Sequence, residues 1–567
     1  MTLSYPNPLL SGMADDHNKS VEQGKTGTAP SPKTPLRKTL LTAIILSGLM
    51  FSCLDTSIVS TSMVSISVEF QNYQDAPWVI LGYLLTYMSF AVGFSKLSDV
   101  YGRRNLLAVA WILFSGFSVW CATAGSMWQL IAARSLQGIG GSGLYSLAQV
   151  CLVEQGPDRP EIVGALVGIT LSISYILGPL LGGGISQWNW RGVFWINLPF
   201  SLIAIAGIYT LWPNERRSKY DTKTGLSKID FIGNLLLIVA SILLIFSIQE
   251  GASFVWKWSS PIIIWSMVIS GVCWFLLFVW ETYLFYGSSQ KVEPIFPLRL
   301  AVGRVYLASF IVTLLTGFIY IALVIKIPER LQINHGDNAL GAGVHLLPML
   351  GSCALGSFLG GALSKKHNLT SQTLIVGCAL QLLGIGLVYN LTRRDSGIGP
   401  LLGFSAIYGL GVGLCFAAST IIAAIEAQHD DLAAAQGAIA QARVFGGALG
   451  LAICTVIFND KLQKRLGPGS GAGIDGITLD QIHRSPLVAL THEPELLDKV
   501  REVYLDAFGT QMVMMTAVAG LSLVVSVMTY RSKPSPVTDA MAYHKELASR
   551  SNDTELESTS SIRSLIR

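Results

Sequence analysis

Residues 93–104 read Gly93-Phe94-Ser95-Lys96-Leu97-Ser98-Asp99-Val100-Tyr101-Gly102-Arg103-Arg104. An apolar run long enough to span a bilayer (about 20 residues) ends in this stretch, and another begins directly after it. Gly93 permits close approach of a neighbouring helix, and Gly102 permits a tight turn. Asp99 either caps a helix or pairs with an arginine. Arg103 and Arg104 anchor the turn on the cytoplasmic side. A positive-inside loop needs only the arginines, so the added glycine and acid spacing points to a gate built from Gly93, Asp99, Gly102, Arg103 and Arg104.

Outward from that turn the chain keeps the same character. Of its 567 residues 51% are hydrophobic and only 13% are charged, against about 25% charged in a soluble chain. About fourteen apolar segments have spanning length. They run near 40–62, 78–98, 105–124, 127–152, 162–187, 193–213, 229–250, 260–285, 303–326, 339–363, 373–391, 399–426, 434–459 and 509–530. The fold class expected is an all-α polytopic membrane protein. Residues 1–38 and 531–567 are polar tails, expected to be disordered; the first lacks the apolar core of a signal peptide. Net charge is only +4, so no nucleic-acid partner is implied. None of the eight cysteines forms a CxxC or Cys/His cluster, which argues against a disulfide framework or zinc site. Gly24-Lys25-Thr26 matches the end of a phosphate-binding loop, but Lys19 stands where its first glycine belongs. No cofactor is implied, and ATP is not the expected energy source.

Lysine and arginine orient the segments. They cluster before segment one (Lys33, Arg37, Lys38) and after segments two (Arg103, Arg104), six (Arg216, Arg217, Lys219, Lys223, Lys228), eight (Lys291, Arg299, Arg304) and ten (Lys365, Lys366). That side is cytoplasmic, and an even span count places both termini there. Arg393 and Arg394 go against the rule. So do Lys461, Lys464 and Arg465, which open a segment of roughly 460–508 expected outside, and long loops obey the rule poorly. Trp188, Trp190, Trp195, Trp256 and Trp258 fall at outer boundaries, where an aromatic belt is expected.

The chain also hints at duplication. Segment two ends in the stretch quoted above, and segment ten ends Gly360-Gly361-Ala362-Leu363-Ser364-Lys365-Lys366. Segment four carries Gln137-Gly138-Ile139-Gly140-Gly141, and segment twelve carries Tyr408-Gly409-Leu410-Gly411-Val412-Gly413. These pairs are equivalent if 39–213 and 303–530 are related six-helix halves and 229–285 is an inserted pair. Repeated halves with a site between them mark secondary transporters.

Charges inside spans are functional candidates. Asp55 and Arg134 each lie about seven residues from an outer segment end, so at about 1.5 Å per residue both sit ~10 Å below the outer surface. Burial penalises an ionised carboxylate and a guanidinium favours it, and a group balanced between the two can exchange a proton. The alternative is a static ion pair holding two helices together. Glu154 ends segment four beside the Asp99–Arg103 turn. Arg443 either lines a cavity or pairs with Glu426. His345 is read as a hydrogen-bonded packing residue, and Tyr175 and Phe445 are candidates for an apolar pocket.

The quoted stretch resembles the loop motif of the major facilitator superfamily, specifically its fourteen-span drug:proton antiporter branch in fungi. Four further stretches carry the resemblance: Leu54-Asp55-Thr56-Ser57-Ile58-Val59, Arg134-Ser135-Leu136-Gln137-Gly138-Ile139-Gly140-Gly141, Gly168 through Gly178-Pro179-x-x-Gly182-Gly183, and Trp190-Arg191-Gly192-Val193-Phe194-Trp195-Ile196-Asn197-Leu198-Pro199. Ser98 and Gly192 depart from it, standing where alanine and a bulkier residue are commoner. The resemblance covers about 40–530 and implies two six-helix halves plus two inserted helices. It implies a small organic substrate, protons as coupling partner, a lipid bilayer and a monomer. It also implies a cytoplasmic charge cluster of Asp99, Arg103 and Glu154, and an antiporter motif at Gly178, Pro179, Gly182 and Gly183, with Pro179 breaking helix five. Asp55 and Arg134 become the proton-coupling candidates, and Gln137, Tyr175, Arg443 and Phe445 the cavity candidates. The function expected is export of a drug, toxin or secondary metabolite across the cell membrane or a vesicle or vacuole membrane. The alternatives are import of, for example, an iron chelate by the same fold and, remotely, a membrane-embedded enzyme.

Overall fold

The computed structural model describes residues 33–72, 75–157, 160–186, 188–212, 230–251, 256–286, 292, 294, 298–337, 339–364, 368–392, 397–427, 431–466 and 494–531. Most of both expected tails and the middle of the expected outer segment fall outside these residues. Among the described residues every regular element is helical. The first six segments become α1 (Lys33–Phe70), α2 (Ala76–Tyr101), α3 (Arg103–Ala122), α4 (Met127–Gln155), α5 (Pro160–Ser186) and α6 (Gly192–Trp195) continued by α7 (Asn197–Leu211). The inserted pair is α8 (Phe231–Gly251) and α9 (Pro261–Tyr286). The remainder comprises α10 (Leu298–Val302), α11 (Arg304–Arg330) with a π-turn at Leu331–His335, α12 (Ala339–His345) continued by α13 (Leu347–Leu363), α14 (Thr370–Thr392), α15 (Ile398–Glu426), α16 (Leu432–Leu466) and α17 (Pro494–Val527).

Among the described residues thirteen helices are long and apolar enough to cross a membrane. α4 is the helix missing from that set. It is 29 residues long, about 44 Å at 1.5 Å per residue, but carries Arg134, three glutamines before Gln155 and a run of glycines and serines. Those residues suit its position, because α4 is buried along most of its length and faces protein rather than lipid. Ser126 caps it, accepting a hydrogen bond from the Gln129 amide. α3 follows α2 with only Gly102 between them, at φ +84°, a conformation that costs glycine little.

The two halves pack by the same rules. α1 lies on α5, α2 on α4 and α3 on α4; in the second half α11 lies on α16, α13 on α15 and α14 on α15. The halves meet along two seams, α5 on α13 and α2 on α16. The inserted α8 covers the second seam, packing on both α2 and α16. Gly93 of α2 faces Asn234 of α8 there. α9 is the most lipid-exposed span, with 17% of its apolar window buried against 83% in α15.

Several expectations change. α1 begins at Lys33 and continues to Phe70, so Asp55 lies 15 residues from the end expected to be outer rather than seven. α5 runs unbroken through Pro179 to Ser186. The expected outer segment 460–508 is helical at both ends, since α16 reaches Leu466 and α17 starts at Pro494. Its cations, which go against the positive-inside rule, are matched by acids: Lys461 to Asp506 (3.1 Å), Lys464 to Asp460 (2.7 Å) and Arg465 to Asp506 (3.4 Å). Trp188, Trp195 and Trp258 are exposed, but Trp190 is buried and donates to Glu69 instead of joining a belt.

Candidate functional site

The first centre lies inside the N-terminal half. Asp55 on α1 and Arg134 on α4 are both fully buried and form an ion pair. Asp55 Oδ1 also accepts from Gln137 Nε2 and Asn197 Nδ2, each at 3.2 Å. Ser118 Oγ joins the network, accepting from the same two amides at 2.7 and 3.1 Å. Arg134 donates in addition to the Gln137 side-chain oxygen (2.7 Å) and the Val79 carbonyl (3.2 Å), and stacks over the Tyr83 ring at 4.2 Å. Five helices of this half therefore contribute: α1, α2, α3, α4 and α7. A buried ion pair is favoured when its remaining donors and acceptors find partners; here Asp55 is engaged at both oxygens, and of Arg134 only Nη2 lacks a hydrogen-bond partner among the described residues.

The glycines of α4 make this closure possible. A side chain at Gly138 would strike the Tyr83 backbone of α2, and one at Gly140 would come within 2.5 Å of the Phe114 amide nitrogen on α3. The antiporter-like stretch packs on the same region. Gly178 of α5 abuts Ser57 of α1, two residues beyond Asp55, and Pro179 lies against Gly343 of α12 in the other half. Gly182 and Gly183 are buried one turn further on.

The second centre is the quoted turn. Arg103 Nη2 meets Asp99 at 2.6 Å and Glu154 at 2.9 Å, and its Nε donates to Glu154 at 3.1 Å. The three expected members are thus brought together. Ser98, the departure from the family pattern, accepts a further hydrogen bond from Arg103. Arg104 points elsewhere and stacks 5.0 Å over Tyr209. Close by, Ser95 of α2 sits where a side chain at Gly437 of α16 would land, so the cluster flanks one end of that seam.

The third centre is a cavity between the halves, lined among others by Cys53, Thr56, Tyr87, Tyr145, Tyr175, Tyr320, Phe416 and Arg443. It is nearly shut: about 10 Å³ is open to water, roughly room for one molecule. Tyr175 packs edge-on to Tyr320 at 5.5 Å, and Tyr320 edge-on to Phe416 at 5.3 Å. Of the four expected cavity residues, Tyr175 and Arg443 line it. Gln137 belongs to the ion-pair network, and Phe445 faces a separate apolar crevice beside Trp274 of α9. Arg443 does not meet Glu426, which is paired with Arg531 at 2.8 Å. His345 is hydrogen-bonded to Asp337 at 2.7 Å. Asn197 appears in a motif quoted from the sequence, but its contact with Asp55 was not expected; nor were Ser118, Tyr83 and Tyr145.

The Major Facilitator Superfamily model matches residues 45–451. The chain is 31% identical over 480 residues to an MFS-type transporter, FPY5, of Fusarium mangiferae, covering 82% of this chain and 78% of that one. It is 25% identical over 490 residues to the MFS-type efflux pump LUC4 of a Fusarium species, covering 85% of each. Among solved structures, a bacterial homolog to the human lysosomal transporter Spinster superposes with a TM-score of 0.53 at 13% identity, over 90% of this chain and 100% of that one. A XylE variant gives 0.53 at 15% identity, over 89% and 98%. At those identities the two structures speak to the fold alone.

Proposed function

The chain belongs to the major facilitator superfamily, and from that premise we propose that it exports small organic molecules in exchange for protons. It is a multi-pass membrane transporter of small molecules and not an enzyme, as its relatives are. The observation that carries the finer reading is the Asp55–Arg134 network, a buried titratable acid on the helix that also lines the cavity. Cys53 and Thr56 of α1 flank Asp55 and face the cavity. A substrate pressing on them and a proton arriving at Asp55 therefore act on the same helix segment, and coupling requires such a shared element. Protonation would remove the charge that Arg134, Gln137 and Asn197 hold in place. α5 can transmit the resulting shift, because Gly178 touches α1 and Pro179 touches α12 across the seam. The Asp99–Arg103–Glu154 cluster serves as the cytoplasmic latch, which must break for the cavity to open inward. Export rather than import is favoured by the Gly178-Pro179 motif.

In this reading both termini are cytoplasmic, the transporter acts as a monomer in the cell membrane, and the described ends of the roughly 460–508 segment, up to Leu466 and from Pro494, face outside. An epitope inserted there should label on intact cells, while a C-terminal tag should not. The coupling test is Asp55→Asn in liposomes, with a substrate found by screening toxins on a sensitised host. The variant should fold, bind and equilibrate substrate, yet fail to accumulate it when a pH difference is imposed. Undiminished uphill transport by the variant would remove Asp55 from the coupling role and make Glu154 the next acid to test.

A further inference from the structure

We infer that the cavity selects organic anions, specifically aromatic or amphipathic compounds bearing one carboxylate or similar acid, with Arg443 as the group that holds the charge. The inference rests on the transport reading above and adds a substrate class to it. Arg443 is 3% exposed and lies on the cavity wall. Its Nη1 donates to the Tyr145 hydroxyl at 2.9 Å, and its guanidinium stacks 4.2 Å over Phe416. Its Nε and Nη2 have no hydrogen-bond partner among the described residues. Among the described residues no carboxylate lines the cavity, and Glu426, the acid weighed as a partner, is held by Arg531.

A desolvated guanidinium without an anion is costly, and stacking on one ring offsets only part of that cost. Buried polar groups are otherwise almost always satisfied. Two free N–H groups on a planar fork fit a carboxylate, which can take both at once. The surroundings suit the rest of such a ligand: Tyr87, Tyr175, Tyr320 and Phe416 offer ring faces and edges, and the Tyr320 hydroxyl has no nitrogen or oxygen partner. A cationic compound would meet Arg443 at short range with no acid to compensate, so the same residue that attracts anions excludes cations. The closed cavity must widen to admit any such ligand, so binding reports the open forms of the transporter.

The test uses three probes of one shape: naphthoate, the neutral naphthamide and the cationic naphthylmethylammonium. Binding to the purified full chain in detergent is followed by intrinsic tryptophan fluorescence or calorimetry. Naphthoate should bind at least ~10-fold more tightly than the amide, and the cation most weakly. Arg443→Gln should erase the difference between naphthoate and amide, and Arg443→Lys should keep part of it. Equal affinities in the wild type, a preference for the cation, no binding of naphthoate at millimolar concentration, or an anion preference that survives in folded Arg443→Gln would each overturn the inference. The wild-type comparison stands even if the variants fail to fold. Because it needs no pH gradient, its failure leaves proton-driven export untouched, and loss of coupling in Asp55→Asn leaves the anion preference untouched.

Discussion

Arg134 and Arg443 are both buried guanidinium groups at the centre of the molecule, one in each half, and their surroundings differ in kind. Arg134 meets a carboxylate, an amide oxygen, a backbone carbonyl and a tyrosine face. Arg443 has one hydroxyl and one ring, with two nitrogens left over. An ion that holds a carboxylate in low dielectric is a structural tie until something changes its protonation, and Arg134 does so with only its Nη2 unpartnered among the described residues. One without a carboxylate is the group proposed here to hold a charge that arrives from outside. The halves share a packing plan, so this contrast is a division of labour laid over a common scaffold, with coupling proposed for one half and recognition for the other.

Stability should separate the two arginines most sharply. Arg134→Ala leaves Asp55 buried without its cation, a change that costs about 3–5 kcal/mol when a buried pair is broken on one side. Arg443→Met removes a charge that already lacks an anion and fills similar volume. Thermal unfolding in detergent should therefore show a large drop for the first and none, or a rise, for the second. Comparable losses in both would break the contrast.

The latch proposed at Asp99, Arg103 and Glu154 should fall next in size. Arg103 bridges Asp99 and Glu154, but all three side chains retain some exposure, 12% for Arg103 and 26% and 16% for the acids. Losing the charge-assisted bonds at Arg103→Ala should cost roughly 1.5–3 kcal/mol in the latched state, which slows transport or uncouples the gate without blocking insertion. Initial rates at matched surface expression measure it; wild-type rates would leave the cluster without a gating role.

Much of this is legible in the sequence, and the gaps have definite causes. The loop motif points to Asp99 and Arg103, the family resemblance adds Glu154 at the end of segment four, and Asp55 with Arg134 stands out because charges are rare in spans. The depth of Arg134 holds, seven residues from the start of α4 at Met127, but that of Asp55 changes because hydropathy fades near residue 62 whereas α1 persists to Phe70, its extension buried at Ile66 and Ser67. Asn197 and Ser118 give no signal in an apolar run; they matter only once α3 and α7 close around Asp55. Phe445 was misassigned for a geometric reason. Two residues of helix turn the chain by about 200°, so Arg443 and Phe445 cannot both face the cavity.

Glycine substitutions test whether that closure is the limiting feature. Gly140→Ala places a methyl group 2.5 Å from the Phe114 amide nitrogen, and overpacking of this kind costs roughly 1–3 kcal/mol. Gly116 on α3 has nothing within 4 Å of the same position. Gly116→Ala should thus be neutral, or stabilising by up to about 1 kcal/mol through helix propensity. Melting temperatures of the two variants should move in opposite directions, or only that of Gly140→Ala should move. A tolerated alanine at 140 would mean α3 and α4 can part without disturbing the Asp55 network.

The smallest effect calibrates what burial contributes. Glu69 lies on the same helix as Asp55 and also pairs with an arginine, Arg191 at 2.5 Å, but its side chain is 44% exposed. The Arg191 hydrogen bond, helped by Trp190, holds the Glu69 carboxyl below its ordinary value of 4.5. A depressed carboxyl contributes stability that is fully present above the unfolded value and is lost as the pH falls through the folded one. Solvent screening keeps that contribution under about 1 kcal/mol. Glu69→Gln should therefore melt slightly below wild type at neutral pH, and the gap should close as the pH drops below about 4. If the gap instead matched that of Arg134→Ala, or persisted in acid, burial would not be what distinguishes the inner pair from the outer one.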